Sequence, residues 1–368
     1  MHILNLVDSV DNINYGIWNT VTTLFPYLEE KGCEPEIWFP EDEVIPDSIM
    51  EVPWRHIKDT DAFEKALSAY STKETIVISH GLWKEPTFWG ALAKKQGFSW
   101  VVIPHGMLEP WSMRHKWWKK LPYYNLVEKR KILEASAFIA VGLTEYYNLK
   151  KYFSDKVHLL SNGIKPIATD LTRRPNSQAT YKFIFMSRLH QKKGVVPLLT
   201  GWLNSRAYEY NAHLKIVGPD EGELAELKQL LESRSSNINT LTVDIPGPAY
   251  GAEKENLLNE ADFFILPSFS EGFPTAVLEA MSYGCYPILT EGCNFPQALE
   301  EGVAVKIEPK SDSIRHAVNG LFDLSADDLE KGSLKAKSFV DNNFSLESLS
   351  DNVFNFYNHL IEEKAEVN

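Results

Sequence analysis

Short apolar segments alternate with stretches of helical periodicity along most of the chain. In the first half, helical patterns over residues 16–31, 60–70, 117–135 and 144–152 separate apolar runs at 3–7, 36–39, 75–79, 100–104, 137–141 and 157–160. Strands buried on both faces give continuous apolar runs, and the helices between them are typical of crossover connections between parallel strands. This alternation predicts a doubly wound α/β domain.

The alternation stops at a polar segment and then starts again. Residues 166–181 contain two prolines and no apolar period, which predicts a linker. Apolar runs resume at 182–187, 214–218, 241–245, 262–267, 286–290 and 303–307. The predicted organisation is an N-terminal Rossmann-like domain over 1–165, this linker, a C-terminal Rossmann-like domain over 182–345, and a terminal helix over 346–368. A chain of 368 residues is long enough for two such domains.

Charge and cysteine content narrow the class of protein. The formal net charge is −13, which disfavours nucleic acid as a partner because phosphate binding needs a basic surface. Three cysteines without CxxC spacing favour a reducing compartment and predict neither a zinc site nor a disulfide framework. The N-terminus lacks the pattern of a signal peptide, and no apolar run approaches the length of a bilayer span. We expect a cytoplasmic protein, with the inner face of the membrane as an additional place of action.

Two glutamates bracket the start of a predicted helix in the second domain. In SEGFPTAVLEAMSYG, over residues 270–284, Glu271 precedes the helix and Glu279 lies within it among apolar neighbours. An unpaired buried carboxylate is costly, so Glu279 should have a ligand or a strong partner. The alternative is that Ser268 and Glu271 form a capping box and that Glu279 lies on a solvated face.

The loop before this helix has the features of an anion site. Pro274 is predicted at the first helical position, where proline is accepted, and the backbone N–H groups from Phe273 to Ala276 are expected to be unpaired. Together with the helix dipole they suit a phosphate group. Glu279 lies one turn after Thr275 on the same helix face, where its carboxylate can accept hydrogen bonds from both hydroxyls of a ribose.

Basic residues follow another strand of the same domain. Arg188, Lys192 and Lys193 lie between the run 182–187 and the next helix. Cations at the carboxyl end of a strand complement a diphosphate, although short basic loops are often simply solvated. Combined with the helix N-terminus, they predict a diphosphate site.

The first domain offers two histidines and a glycine at strand ends. His105 follows the run 100–104 in a Pro-His-Gly turn, where it could donate a hydrogen bond to a substrate oxygen. His80 ends the preceding strand and competes for that role, and a structural histidine is the alternative for either. Gly16 opens the first helix, where it would let the backbone approach a ligand or simply give a flexible entry.

A possible metal-binding pair has a simpler explanation. Asp59 and Asp61 form a DxD sequence of the kind that holds a metal-bound nucleotide sugar. We interpret it as a helix start, with Asp61 as the N-cap and Glu64 as its capping-box partner. The chain has no other metal-ligand cluster, no P-loop and no GxGxxG.

Three segments together resemble a known enzyme family. SRLHQKKG, LKIVGPDEG and PSFSEGFPTAVLEAMSYG, in this order and spacing, resemble the retaining glycosyltransferases of family 4 with their E-x7-E motif. The first domain is similar to them more loosely, through its first glycine loop, PHGMLEPW and SNGI. The resemblance implies the GT-B fold, in which two Rossmann-like domains face a central cleft. PHGMLEPW resembles members that build bacterial surface polysaccharides.

The resemblance also implies roles for individual residues. Arg188 and Lys193 would hold the donor diphosphate, Glu279 the ribose and Glu271 the transferred sugar, with His105 near that sugar. Further donor contacts would come from backbone at Gly16, Pro248, Ala249, Gly272, Phe273, Pro274 and Thr275. The acceptor side would include Glu109, Trp111 and Arg114. In this chain Pro274 replaces a glycine common in that turn, and the first loop has one glycine rather than two.

The expected activity is sugar transfer with retention of configuration. The donor would be a UDP- or GDP-sugar, the acceptor a glycan or lipid-linked glycan, and no metal or other cofactor would be required. Cations and the helix N-terminus would stabilise the leaving diphosphate. Retention without a well-placed nucleophile favours front-face attack, assisted by the leaving phosphate, over Glu271 as a covalent nucleophile. The alternatives are a catalytically silent sugar-nucleotide or glycan-binding protein and a GT-B sugar-nucleotide epimerase.

One segment is not explained by the resemblance. Residues 114–131 carry seven Lys and Arg against one acid, with Trp117, Trp118, Tyr123 and Tyr124 interleaved. Aromatic residues beside cations suit a helix that lies on an anionic lipid surface. Core packing with a solvated basic face, or an acceptor subsite near Trp111, are the alternatives.

Overall fold

The structure is a computed structural model that describes residues 1–11, 14–40, 45–114, 116–165, 167 and 180–367, with side chains given up to residue 364. The predicted linker lies outside the described residues, apart from 167, 180 and 181. The chain divides into two compact units, one of Met1–Lys165 with Leu346–Asn368 and one of Pro166–Ser345.

The first unit is built on a parallel sheet. Within the described residues its seven strands run in the order β3-β2-β1-β4-β5-β6-β7. The strands are β1 (His2–Leu6), β2 (Glu34–Pro40), β3 (Trp54–Ile57), β4 (Thr75–His80), β5 (Ser99–Ile103), β6 (Ala137–Ala140) and β7 (Val157–Leu159). The central strands β4 and β5 are buried along their whole length, which explains their unbroken apolar sequence.

Helices connect these strands. They are α1 (Tyr15–Thr23), α2 (Phe25–Glu29), α3 (Asp47–Met50), α4 (Thr60–Leu67), α5 (Glu85–Lys95), α6 (Pro110–Arg114), α7 (Trp117–Tyr123), α8 (Lys129–Ile132) and α9 (Leu143–Phe153). A π-helical segment, Tyr124–Glu128, joins α7 to α8, and a 3₁₀ turn, Ser154–Lys156, follows α9.

The predicted helices of the first unit needed three corrections. The helix predicted over 16–31 is two helices, because Pro26 in the first turn of α2 has no backbone N–H to continue α1. The helix predicted over 117–135 is interrupted by the π-helical segment. The N-cap of α4 is Asp59 rather than Asp61, since its carboxylate accepts the Ala62 N–H at 2.9 Å.

The second unit is also a parallel α/β structure. Its six described strands run in the order β10-β9-β8-β11-β12-β13. They are β8 (Tyr181–Met186), β9 (Ala212–Val217), β10 (Val243–Gly247), β11 (Phe263–Leu266), β12 (Tyr286–Thr290) and β13 (Val305–Ile307). The helices are α10 (Val195–Leu203), α11 (Leu224–Ser233), α12 (Gly251–Glu260), α13 (Thr275–Ser282), α14 (Pro296–Glu300), α15 (Ser311–Phe322) and α16 (Ala326–Asn343). Short 3₁₀ turns are Gln191–Lys193, Tyr208–Tyr210, Ile238–Thr242 and Glu291–Cys293.

The last helix, α17 (Leu346–Val367), belongs to the first unit and packs against α2, β4 and β5. The predicted apolar stripe supplies the packing face: Val353, Tyr357 and Leu360 are buried, and the Phe356 ring lies 4.6 Å from that of His158. None of the helices in the described part of the chain is both long enough and apolar enough to cross a bilayer.

Strand order places ligand sites at defined positions in each sheet. In the first sheet the order reverses between β1 and β4, and in the second between β8 and β11. Ligands of doubly wound sheets bind outside the carboxyl ends of the strands at such reversals. The loops after β8 and β11 carry the basic residues and Glu271, and the ends of β4 and β5 carry the candidate histidines.

Candidate functional site

An ion pair occupies the switch point of the second sheet. The Nζ atom of Lys193, after β8, lies 2.7 and 2.6 Å from the two carboxylate oxygens of Glu271, after β11. Ser268 Oγ donates a further hydrogen bond to Glu271 at 2.5 Å. Because no helix begins at residues 268–271, this contact is not the capping box considered as the alternative.

The charge state of Glu271 follows from these contacts. Burial alone would raise the pKa of its carboxyl group, but the charges of Lys193 and Lys192 and the hydrogen bonds from Lys193 and Ser268 together lower it below 4.5. The carboxylate is therefore ionised at neutral pH although only 7% of the residue is exposed. Burial and the Glu271 charge raise the pKa of the neighbouring Cys293 thiol to about 12.

Close backbone contacts lock the loops that carry this pair. The Phe269 N–H donates to Lys192 O at 2.8 Å, and the Glu271 N–H donates to Gly292 O at 2.7 Å. At Gly292 a Cβ atom would lie 2.4 Å from Ser268 O, so only glycine allows this approach. The loop after β11 is thus fixed by backbone on both sides.

The turn before α13 retains part of the expected anion site. Pro274 is the N-cap rather than the first helical residue, since its carbonyl accepts the first hydrogen bonds of the helix. The Thr275 N–H, expected to be unpaired, donates to Phe273 O at 3.0 Å. Among the described residues, the N–H groups of Gly272, Phe273 and Ala276 have no hydrogen-bond partner. Three donors and the dipole of α13 remain available for an anion.

Glu279 has a partner that the sequence did not indicate. Lys254 on α12 lies 2.8 Å from one carboxylate oxygen and 2.7 Å from the other. Both side chains are largely buried, with 14% of Lys254 and 22% of Glu279 exposed. The signal available in the sequence was a lysine in the helix that follows the Pro248-Ala249 loop.

Arg188 also has an acidic neighbour that sequence reasoning missed. Its Nη1 atom lies 2.7 Å from Glu221 Oε1, in the loop after β9. The Arg188 side chain is 40% exposed, so part of it is open to a ligand. Pro248 and Ala249 lie between β10 and α12, in the neighbouring loop at the same edge of the sheet. Strand order thus brings Arg188, Lys193, Glu271 and the 248–249 backbone to one edge.

In the first unit the two competing histidines are in contact. His80 Nδ1 lies 3.0 Å from His105 Nε2, and the rings stack with centroids 5.3 Å apart. His80 Nε2 lies 3.0 Å from Asn5 Oδ1 on β1. Burial lowers the pKa of His105 to about 4, which keeps it neutral at pH 7.

A buried glutamate braces the turn that carries His105. Glu145 accepts hydrogen bonds from the Gly106 N–H at 2.6 Å and the Val141 N–H at 3.0 Å. His105 itself has φ of 51°, a left-handed conformation that is costly for a residue other than glycine. Burial raises the pKa of Glu145 to about 7, and the nearby Glu109 adds to the shift. Sequence reasoning did not identify Glu145.

The remaining predicted residues of the first unit differ in accessibility. Gly16 is the second residue of α1, is exposed, and has no atom within 4 Å of a Cβ position. Glu109 is buried and accepts a hydrogen bond from Asn148 at 2.9 Å, so it supports the fold locally. Trp111 and Arg114 lie on α6, which has no buried residue.

The segment with interleaved aromatics and cations is strongly exposed. In α7 and the π-helical segment, Trp117, Trp118 and Leu126 are 57%, 59% and 64% exposed. Plain core packing is therefore wrong for these side chains. Tyr124 alone of the four aromatics packs against the core, and burial raises its pKa to about 12.

Comparisons with known proteins agree with this organisation. Residues 170–337 match the family model "Glycosyl transferases group 1". The chain is 26% identical over 170 residues, 44% of its length, to the amylovoran biosynthesis glycosyltransferase AmsK of Erwinia amylovora. It is 33% identical over 105 residues, 28% of its length, to the GDP-mannose:cellobiosyl-diphosphopolyprenol alpha-mannosyltransferase of Komagataeibacter xylinus. The matched segments span 40% and 26% of these relatives, less than half of each.

A solved structure matches nearly the whole chain. Anabaena Alr3699/HepE, crystallised in complex with UDP and glucose, has a TM-score of 0.78 at 15% identity, covering 98% of this chain and 100% of that one. At this identity the likeness shows the fold alone, and it confirms the predicted GT-B class of two parallel-sheet α/β domains. Residues 170–337, which match the family model, include both members of the Lys193–Glu271 pair.

Proposed function

We propose that this protein is a retaining glycosyltransferase of the E-x7-E type that uses a nucleoside-diphosphate sugar and no metal ion. The observation that carries the proposal is the Lys193–Glu271 pair at the switch point of the second sheet. Glu271 lies in the same loop as the free N–H groups at the start of α13. A sugar that carries a diphosphate needs both an anion site and a polar side chain beside it.

Each part of the donor has a candidate partner in the second unit. Arg188 and the N–H groups of Phe273 and Ala276 bind the diphosphate, and Glu279, held by Lys254, binds the ribose hydroxyls. Backbone at Pro248 and Ala249 contacts the base, and Glu271 contacts the sugar. Lys193 acts chiefly by holding Glu271, because both carboxylate oxygens bind its ammonium group. This is a narrower role than direct diphosphate binding.

The charges favour departure of the diphosphate. Negative charge develops on the leaving phosphate, where fixed N–H donors and a guanidinium stabilise it without reorganisation. A carboxylate engaged at both oxygens is a poor nucleophile, which supports front-face attack over a covalent intermediate on Glu271. In this mechanism the leaving phosphate takes the proton of the acceptor hydroxyl as the new bond forms.

The acceptor is proposed to be a glycan or lipid-linked glycan in surface-polysaccharide assembly. The names of the two relatives support this, since one refers to amylovoran biosynthesis and the other to a cellobiosyl-diphosphopolyprenol acceptor. UDP and GDP are both candidate nucleotides, because the name of the Komagataeibacter relative specifies GDP-mannose and the solved neighbour was crystallised with UDP.

A donor panel tests the proposal. Purified protein is incubated with UDP-, GDP- and ADP-sugars, and released nucleotide is measured with and without a membrane extract as acceptor source. We expect one sugar nucleotide to be consumed without added metal, and NMR of the product to show the anomeric configuration of the donor. Binding without release would indicate a silent sugar-nucleotide protein, and an epimerised sugar nucleotide would indicate the epimerase.

The exposed aromatic and basic segment supports a second property, docking on an anionic membrane. Residues 114–131 place several cations beside Trp117, Trp118 and Leu126, which is the chemistry of an interfacial helix. We expect the protein to float with phosphatidylglycerol vesicles and the Trp117→Ala/Trp118→Ala variant to remain behind. Tyr147→Ala/Tyr152→Ala removes two aromatics of equal exposure, 58% and 62%, from α9 and should float as the unmodified protein does. No flotation of the unmodified protein would end the idea.

A further inference from the structure

A hydrogen-bonded chain crosses three neighbouring strands of the first sheet. Asn5 lies on β1, His80 ends β4, and His105 follows β5. Asn5 Oδ1 is 3.0 Å from His80 Nε2, and His80 Nδ1 is 3.0 Å from His105 Nε2. Asn5 and His80 are buried and His105 is half-buried.

The direction of this chain is set at its Asn5 end. Asn5 Nδ2 lies 3.1 Å from Glu36 O and 3.4 Å from Ile3 O, and backbone carbonyls only accept hydrogen bonds. The amide nitrogen must therefore face those carbonyls, and the amide oxygen must face His80. Asn5 Oδ1 is an acceptor, so His80 donates to it from Nε2.

The protonation of both imidazoles follows from this direction. A neutral His80 with its proton on Nε2 has a bare Nδ1, which can only accept. His105 must then donate from Nε2, and its own Nδ1 carries the lone pair. Among the residues that the structure describes, none forms a hydrogen bond with His105 Nδ1. The chain thus ends in a free acceptor.

We propose that Asn5 and His80 are positioning residues that fix His105 as the Nε2–H tautomer, so that its Nδ1 accepts a hydrogen bond from a saccharide hydroxyl. This reverses the sequence-based expectation that His105 donates to a substrate oxygen. The choice of a saccharide rests on the proposed function, whereas the tautomer rests on the geometry alone. The ligand must therefore have a free hydroxyl group that can donate a hydrogen bond to His105 Nδ1.

Two further observations support a ligand at this position. His105, His80 and Asn5 line one pocket, together with polar residues Ser161 and Asn162 after β7. The left-handed backbone of His105 costs about 1–3 kcal/mol and is held by Glu145 through the Gly106 N–H. Burial lowers the pKa of both histidines, which keeps them in the neutral form that the chain requires.

Histidine nitrogen NMR tests the tautomer without any substrate. The full-length protein is labelled with ¹⁵N-histidine, and the signals of His80 and His105 are assigned with His80→Gln and His105→Gln. We expect both rings at pH 7 to show a protonated Nε2 and a bare Nδ1. A His105 ring with a protonated Nδ1, or one in rapid exchange between tautomers, would overturn the proposal whatever the enzyme transfers.

Substitution of Asn5 tests the positioning role. Asn5→Leu keeps the side-chain size but removes the acceptor, so His80 and His105 should lose their fixed tautomers and turnover should fall about tenfold. Asn5→Gln keeps both the acceptor oxygen and the donor nitrogen of the amide and should keep the His105 tautomer, which covers the case that the leucine variant does not fold. His158→Gln changes a histidine that does not belong to the Asn5–His80–His105 hydrogen-bond network and should leave the His105 signals and turnover unchanged. An Asn5→Leu protein with an unaltered His105 tautomer would contradict the proposal.

If the tautomers are as predicted but no sugar nucleotide is consumed, only the proposed function fails.

Discussion

The ammonium group of Lys193 contacts both carboxylate oxygens of Glu271, at 2.7 and 2.6 Å, at the edge of the second sheet where the strand order reverses. The two side chains come from loops 78 residues apart in sequence, and only 11% and 10% of them are exposed. A pair this buried offsets its desolvation only through good geometry, and removal of one partner leaves the other charge largely buried without its direct counterion.

Lys193→Met should therefore destabilise the protein by about 3 kcal/mol and also abolish most turnover. The double variant Lys193→Met/Glu271→Leu should recover much of the free energy of unfolding without recovering activity, because it removes both charges. Denaturant unfolding of the two variants gives this comparison. Equal unfolding free energies for Lys193→Met and the unmodified protein would show that the pair does not stabilise the fold.

Gly292→Ala should disturb the site from a position that has no side chain. The new Cβ would meet Ser268 O at 2.4 Å and the Phe269 carbonyl carbon at 2.6 Å, which forces the loop after β11 to move. We expect a loss of about 2 kcal/mol in unfolding free energy and a lower turnover. Gly320→Ala, in α15, is the matched control, since its Cβ has no atom within 4 Å and alanine favours helix. Equal unfolding free energies and turnover in Gly292→Ala and Gly320→Ala would contradict a role for the close contact between Gly292 and the Ser268 carbonyl.

Lys254→Met should weaken donor binding by releasing Glu279. We expect a higher KM for the sugar nucleotide with a smaller change in kcat, because the diphosphate of such a donor separates its ribose from the sugar–phosphate bond that breaks. The 2′-deoxy form of the donor gives the decisive comparison: the penalty for deoxyribose should shrink in the variant if Glu279 reads the diol. Lys306→Met, which removes an exposed ion pair with Glu291, serves as the control. A full deoxyribose penalty in Lys254→Met would argue against ribose recognition by Glu279.

Glu145 should make stability fall as pH rises between about 4.5 and 7. The folded protein raises the pKa of this carboxyl to about 7, so between these values the folded state holds a proton that the unfolded chain has lost. The stabilisation from this proton is fully present below the pKa of the unfolded chain. It is lost as the pH rises through the pKa of the folded protein. Glu145→Gln should flatten this slope, which unfolding midpoints across the range will show. An unchanged slope would mean that Glu145 does not take up the proton.

Most strands could be predicted from the sequence, because a parallel strand that is buried on both faces has a continuous apolar sequence. The prediction missed β3, because Trp54 and Arg55 are exposed at the edge of the sheet and the strand has no continuous apolar run. It also named Asp61 as the cap of α4, since aspartates two positions apart offer the same chemistry and only backbone geometry separates them.

Site residues that lie within one short sequence motif could be predicted. The side chains that pair with them from other loops could not. Lys254 and Glu221 lie in other loops, and nothing local marks a residue that pairs across 25 or 33 positions. His80 and His105 were treated as competitors, because the sequence cannot show that neighbouring strands bring their rings together. Glu145 was missed for the same reason, since its partners are backbone N–H groups.

The turnover number of Glu271→Gln, with the sugar nucleotide identified by the donor panel, tests directly whether the buried Glu271 charge is needed for sugar transfer. Glutamine keeps the shape of the side chain but removes the charge that Lys193 holds. Glu291→Gln, in the loop after β12 and 74% exposed, is the matched control. We expect a fall of about 100-fold or more in Glu271→Gln and near-normal turnover in Glu291→Gln. Near-normal turnover in Glu271→Gln would contradict this role of the Glu271 charge.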